Sequence, residues 1–528
     1  MKRCIRSVLC VVLSCLLLSV LPSCGSDNSS KLLVYNLSAE PVNLDPPLAD
    51  DAASALVVTN LFEGLLRMGE GGTVTEGAAE SYEVSDDGLR YVFYLRKDAK
   101  WSDETPLTAD DFVFGFRRLF DPKTGSVSAK NLYCIKNAKA VHEGALPTDA
   151  LGVSASDPHT LVIELDSVNT RFLTLLTTPA AMPCNEAFFK ESKGRYGLTA
   201  ETILSNGAYR LKEWAAGEYL ALRKNTAYHA ADAVRNGGIS LFIEEDPAVT
   251  LEAFQKDSVC AISCEADGIS SLDTAHDTVE ESLSSVWGIL LNREGILADD
   301  HLTKALLYGM DRSGYQDVLP PYLVSADAII PPAVTIQGTG YREKLSSGVA
   351  APAYQPDRAR QEIKAGYEAL GVSSLTKLRM IVPESLTPHA ELFSYVSQIW
   401  QENLRVYFVV ETLEEEEYNA RLEAGDYDCA VVNLQASYDA PEAFLSQFVQ
   451  PGKAGYPAGT EELLDRAAKS DVETAAGLYR QAEQSILDSG IFLPLYYQTG
   501  YFVTSASVTG FVHDFSNQVI DFKNCVFS

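Results

Sequence analysis

The sequence predicts an α/β protein with mixed sheets, built as more than one lobe. Three observations carry that prediction. The 528 residues, 46% of them hydrophobic, are enough for roughly three packed cores of about 150 residues each. Short runs of strand-like alternation and longer runs of helical spacing succeed one another along the chain, which is the pattern of α/β architecture. Near residue 290 the balance shifts toward helix, and the shift marks a change of lobe.

The elements follow in order. Residues 32–35, Leu-Leu-Val-Tyr, read as a strand, and 55–66 as a helix that stops before Gly69 and Gly71. Residues 81–84 and 89–95 flank Asp86-Asp87-Gly88, a hairpin whose glycine supplies the positive φ that other residues resist. Thr108 and Asp111 form a near capping box for a helix with Phe112, Phe116 and Leu119 on one face, stopped by Pro122. A second hairpin pairs 209–214 with 219–223 around Ala215-Ala216-Gly217. Beyond 290, helical spacing occupies 302–310, 356–370, 392–404, 414–422 and 475–487, interleaved with strands at 378–382 and 407–410. The acid run 414–417 reads as a helix start favoured by the helix dipole, with Glu417 and Arg421 at ion-pair spacing, rather than as a metal site.

The first segment sets the compartment. Lys2, Arg3 and Arg6 precede an uncharged, mostly apolar run from 7 to 21, the pattern of an export signal. As a helix that run reaches about 22 Å, short of the roughly 30 Å hydrocarbon core. Leu21-Pro22-Ser23-Cys24 resembles the lipobox of bacterial lipoproteins, which implies a signal over 1–23, acylation of Cys24, and a polar tether over 24–30. A simple secretory signal with a chance cysteine is the alternative. Six cysteines remain beyond Cys24, sparse for an exported chain of this size, and most are expected as buried free thiols. Cys260 and Cys264, in a segment that reads extended, would stand about 13 Å apart, too far for a bridge.

Composition and motifs exclude several functions. A net charge of −30 argues against nucleic acid as a partner, since phosphate binding needs a basic face. There is no H-E-x-x-H, G-x-S-x-G, G-x-x-x-x-G-K-[ST] or C-x-x-C, and no two of the seven histidines stand at four-residue spacing. No metal site or cofactor is expected, and no catalysis. What the chain offers is a large exported body rich in Tyr and Phe, suited to burying a ligand between lobes.

Eight motifs in order carry a resemblance to the oligopeptide and dipeptide solute-binding proteins of ABC importers, extracellular family 5, over nearly all of the chain after the tether. They are Asn43-Leu44-Asp45-Pro46, Leu61-Phe62-Glu63-Gly64-Leu65, the run from Glu83 to Arg96, Trp101 through Phe112, Ser205 through Leu211, Ala305 to Arg312, Gly425-Asp426-Tyr427-Asp428 and Pro494-Leu495-Tyr496-Tyr497. The resemblance implies a two-lobed periplasmic-binding-protein-like fold with mixed sheets and two hinge crossings near Asn292 and Pro494. Lobe I would comprise 31–70, 200–290 and 490–528, with an extra subdomain at 71–199; lobe II would be 291–489.

The resemblance also implies a site. A peptide would lie extended in the cleft, pairing its backbone with Asp50-Asp51-Ala52 on lobe I and Asn433-Leu434-Gln435 on lobe II. Trp287 would line the cleft or belong to the core, and Tyr496-Tyr497 would be structural. Where peptide-binding members carry Trp, then Asp-Tyr, with that Asp holding the peptide's α-ammonium group, this chain has Leu434 and Ser437-Tyr438. Three readings stand: Asp439 replaces the missing acid, the ligand has no free α-amine, or Asp439 is a solvated loop residue and another acid serves. The implied partners are an ABC permease and its ATPase and a small peptide or peptide-like ligand, for a monomer held to the outer membrane face by lipid alone. A binder of another solute, such as a sugar or metal chelate, and a peptide-sensing receptor without transport are the alternatives.

Overall fold

The computed structural model describes residues 30–528 except 70–72, 265, 273–276, 315–317, 321–322, 337, 376, 437–438, 451, 454 and 515–518. The expected signal, Cys24 and most of the tether, and both Ser437 and Tyr438, lie outside the described residues.

Two bodies share the chain. In the first, strand Leu32–Asn36 runs parallel to Gly238–Phe242, which continues antiparallel through Tyr219–Lys224 to Tyr209–Ala215. A second, antiparallel sheet joins Ala79–Val84, Arg90–Leu95, Thr160–Glu164 and Val153–Asp157 in that spatial order. Both sheets drain into one apolar core that runs from Leu33 through Trp101, Phe116 and Tyr209 to Phe522. The hairpin turn before Arg90 has Gly88 at φ 69, as its sequence requires.

The second body is a three-layer sandwich. The sheet that runs through it has the order Ala261–Cys264, Phe492–Thr504, Thr278–Leu291, Cys429–Gln435, Leu378–Pro383, Phe408–Leu413, with antiparallel pairs on one side and parallel pairs on the other, and its first strand lies in the first body, where Ala261 joins that body's core. One face carries Ile289, Leu291, Val431 and Leu493 against the helices Asp300–Gly309, Pro356–Leu370 and Ala390–Leu404. The other carries Val286, Ala430, Val432 and Leu434 against Thr460–Ala467 and Val472–Ser489. Strands buried on both faces read as unbroken apolar runs, which is why 429–434 shows no alternation.

Thr278–Leu291 and Phe492–Thr504 cross between the bodies. The lower half of the second strand packs with the first body through Phe502, and its upper half with the second body through Phe492 and Tyr497. The change-over lies inside the strands. Asn292, one of the two expected turning points, instead anchors the second body by donating to the carbonyls of Gly425 and Tyr427, each at 2.9 Å.

Most expected elements form, with two differences. The first helix is Ala52–Leu61, not 55–66: Gly207 N donates to Leu61 O and Asn206 brackets the backbone of Glu63, drawing the chain out of the helix. Leu66 therefore belongs to a strand. Glu415, Glu416 and Glu417 do start a helix, but Arg421 pairs with Glu411 and Asp426 rather than with Glu417, because the neighbouring strand brings Glu411 within 2.6 Å. The six cysteines are free, with Cys184, Cys260, Cys429 and Cys525 buried.

Several of the sequence motifs are interlocks. Asp45 accepts both guanidinium nitrogens of buried Arg118, at 2.8 and 2.5 Å, tying the first loop to helix Ala109–Phe120. Glu63 and Asn206, from two separate motifs, hold each other by backbone and side chain. Asp428 and Asp426 hold Arg379 through its main-chain N–H and its guanidinium.

Candidate functional site

On the first body, the expected contact residues stand at a helix start. Asp51 is extended and accepts Ser54 N at 2.8 Å through Oδ1, and the helix begins at Ala52. The backbone at 51–52 is thus a helix entry. Capping turns the backbone into the helix at Ala52, directly after the extended Asp51. Asp51 Oδ2 is shielded from solvent and has no hydrogen-bond partner among the described residues.

On the second body, Asn433, Leu434 and Gln435 finish strand Cys429–Gln435. They pair with Trp287, Val286 and Ser285 of the first crossing strand. On the opposite side, pairing with Leu378–Pro383 covers Cys429 and Ala430 and goes no further. Among the described residues the end of the strand is therefore laddered on one side only, and Gln447 Nε2 donates to Gln435 O at 3.2 Å. Alternation places Leu434 in the core, 7% exposed, and turns Asn433 and Gln435 to the other face. Asn433 Oδ1 is a second shielded acceptor without a partner among the described residues.

Trp287 stands beside Asn433 in register and stacks on Tyr496, with ring centroids 6.4 Å apart. Its indole N–H donates to Gln498 Oε1 at 2.5 Å. That bond fixes the ring at the margin of the core, half-buried. Tyr496 and Tyr497 are buried, and Tyr497 donates to Ala328 O at 3.0 Å, a structural placement. Gln498 escaped sequence reading; its position two residues past Tyr496 in an alternating strand was the available signal.

Asp439 is engaged within its own body. Its two oxygens accept Thr335 N at 2.8 Å and Thr335 Oγ1 at 2.6 Å, fixing the loop that leads into helix Pro441–Leu445. Glu442, in that helix, forms an ion pair with Arg171 of the first body. Thr335, Arg171 and Glu442 had no distinguishing pattern in sequence, since each partner is more than a hundred residues away. Among the described residues no group of three His, Cys, Asp or Glu is arranged to hold a metal ion. No helix among them is long and apolar enough to cross a membrane.

Two bodies joined by paired crossing strands, with a shielded acceptor on each, have the architecture of a solute-binding protein. Residues 73–456 match the family model of the bacterial extracellular solute-binding proteins, family 5, and the chain belongs to that family. It is 26% identical to the oligopeptide-binding protein OppA of Bacillus subtilis over 94% of this chain and 92% of that one. It is 28% identical to the probable deoxycholate-binding periplasmic protein YgiS of Escherichia coli over 88% and 87%. Among solved structures, the substrate-binding domain of an oligopeptide ABC transporter from Bacillus anthracis superposes with a TM-score of 0.77 at 25% identity, covering 94% of this chain and 99% of that one.

Proposed function

We propose that this chain captures a peptide or peptide-like solute between its two bodies and delivers it to an ABC permease driven by its ATPase. It works as a monomer, acylated at Cys24 after loss of residues 1–23, on the outer face of the cytoplasmic membrane, and it does no chemistry of its own. In this reading lobe I is 31–70, 200–290 and 490–528 with the subdomain 71–199, and lobe II is 291–489.

The observation that carries the reading is the end of strand Cys429–Gln435, open on one side and bearing the partnerless Asn433 Oδ1. A buried acceptor left unmade costs about 1–3 kcal/mol, so such an oxygen calls for a donor. An extended peptide brings N–H donors at regular spacing and ladders onto an open strand edge, which gives affinity without reading side chains. Asp51 Oδ2, on the other body, calls for the same chemistry. Asp50, Asp51, Trp287, Asn433 and Gln435 would then contact the ligand by side chain, Asn433 also by main chain, with Leu434 laddered to Val286 behind them. Ser437 and Tyr438, also expected to contact the ligand, lie outside the described residues.

A second reading has its own support. Asp439, the acid that could hold an α-ammonium group, already accepts two bonds from Thr335, and the relative YgiS is named for a bile acid rather than a peptide. The ligand would then present no free α-amine. One experiment tests both. Protein purified from its native host is gently denatured and the released material analysed by mass spectrometry. Peptides with free N-termini support the first reading, blocked peptides or a non-peptide acid the second, and an empty protein that binds no member of a peptide library overturns both.

A further inference from the structure

Away from the crossing strands, the two bodies meet where Asn169, Thr170 and Arg171 reach the second body. Thr170 N donates to Ala468 O at 3.0 Å, and Thr170 Oγ1 reaches the same carbonyl at 3.3 Å. Arg171 forms its ion pair with Glu442, the side chains only 11% and 22% exposed. Each end is set before they meet. Asn169 Oδ1 accepts Arg171 N at 2.9 Å and Asn169 O accepts Phe172 N at 3.1 Å, shaping the donor loop on the first body. Ala468 is the C-cap of helix Thr460–Ala467, whose last carbonyls have no partner within the helix. Glu442 lies in the first turn of Pro441–Leu445, directly after the loop that Asp439 pins to Thr335.

We propose that Asn169–Arg171 is the catch of the molecule, holding the bodies shut against Glu442 and Ala468 and thereby setting how readily the jaws open. The physical case rests on the state of these groups with the jaws apart. Arg171, Glu442 and the Ala468 carbonyl then face water, and closing trades that water for one ion pair and the Thr170 bonds. Such a trade is close to balanced, because desolvating two charges offsets much of their attraction. The catch therefore biases closure without locking it, as a protein that must release its cargo requires. It also joins closure to Asp439, which Thr335 anchors three residues before Glu442, so a ligand that settles Asp439 presents Glu442 in place. What closure serves rests on the capture reading; that the catch controls closure does not.

The test uses the full-length chain without added ligand, so its outcome is separable from that of the capture reading. Amide hydrogen exchange is followed at Thr170, whose N–H crosses between the bodies, with the helix Ala109–Phe120 as internal reference. Arg171→Met keeps the side-chain bulk and Glu442→Gln keeps the shape. Each is expected to speed exchange at Thr170 by about 5- to 150-fold, the usual range for a coupling between sites, and to raise the radius of gyration in scattering. The double variant should go no further than the larger single one. Unchanged exchange at Thr170, equal acceleration in the reference helix, or fully multiplicative single effects would each overturn the proposal.

Discussion

Glu63 is 2% exposed and accepts from Arg67 Nη1 at 2.8 Å, from Tyr228 at 2.5 Å and from His229 at 2.6 Å, while Arg67 also pairs with Asp521. Burial alone would push its pKa up, but the His229 hydrogen bond and the charges of Arg67 and His229 outweigh it and bring the value from 4.5 down to about 2. The folded state thus binds the Glu63 proton more weakly than the unfolded chain does. Its contribution to stability is complete above pH 4.5 and is lost as pH falls from there through about 2. Glu63→Gln leaves Arg67 with one acid fewer in a dry site, and such a break costs about 3–5 kcal/mol. Urea unfolding at pH 7 should show a loss of that order, and the wild-type advantage should shrink as the titration is repeated toward pH 2. An equal loss at every pH would assign the effect to packing rather than charge.

At the scale of elements, the crossing strands carry the tightest constraint. A Cβ on Gly288 would stand 2.2 Å from Phe492 Cζ and 2.8 Å from Leu493 O, so the two strands approach closely where no side chain separates them. Gly288→Ala is expected to cost about 1–3 kcal/mol by overpacking, with part of the loss recovered when Phe492→Leu is added. Additive losses in the double variant, read from unfolding midpoints, would place the strain elsewhere. The hairpins and the capped helix at Thr108 were legible because turn glycine, alternation and capping chemistry act within a few residues. The end of the first helix was not, since Asn206 and Gly207 terminate it from across the fold. The candidate site divides in the same way. The strand end 433–435 could be placed by resemblance, while the engagement of Asp439 by Thr335 and of Glu442 by Arg171 depends on contacts that no local pattern records.

At the scale of the whole molecule, a two-bodied chain bends where its links allow it. Both links are single strands of one sheet, and the pairing between them shifts register between Leu283 and Ser285 and again between Trp287 and Gly288. A register shift lets a strand pair bend locally without tearing its ladder. On the second strand core membership changes between Tyr497 and Phe502, opposite this stretch, so on either side of that change the second strand is held by apolar cores that resist deformation. Motion should therefore be a rotation of two unchanged bodies about 283–288 and the facing part of the second strand. Scattering on protein emptied by gentle denaturation and refolding, then saturated with the material it originally released, should show a smaller radius of gyration in the loaded form. Both curves should be fitted by one pair of rigid bodies differing only in relative angle. An unchanged radius at demonstrated saturation, or a loaded curve that fits only if one body alters internally, would remove hinge closure as the way this protein holds its cargo.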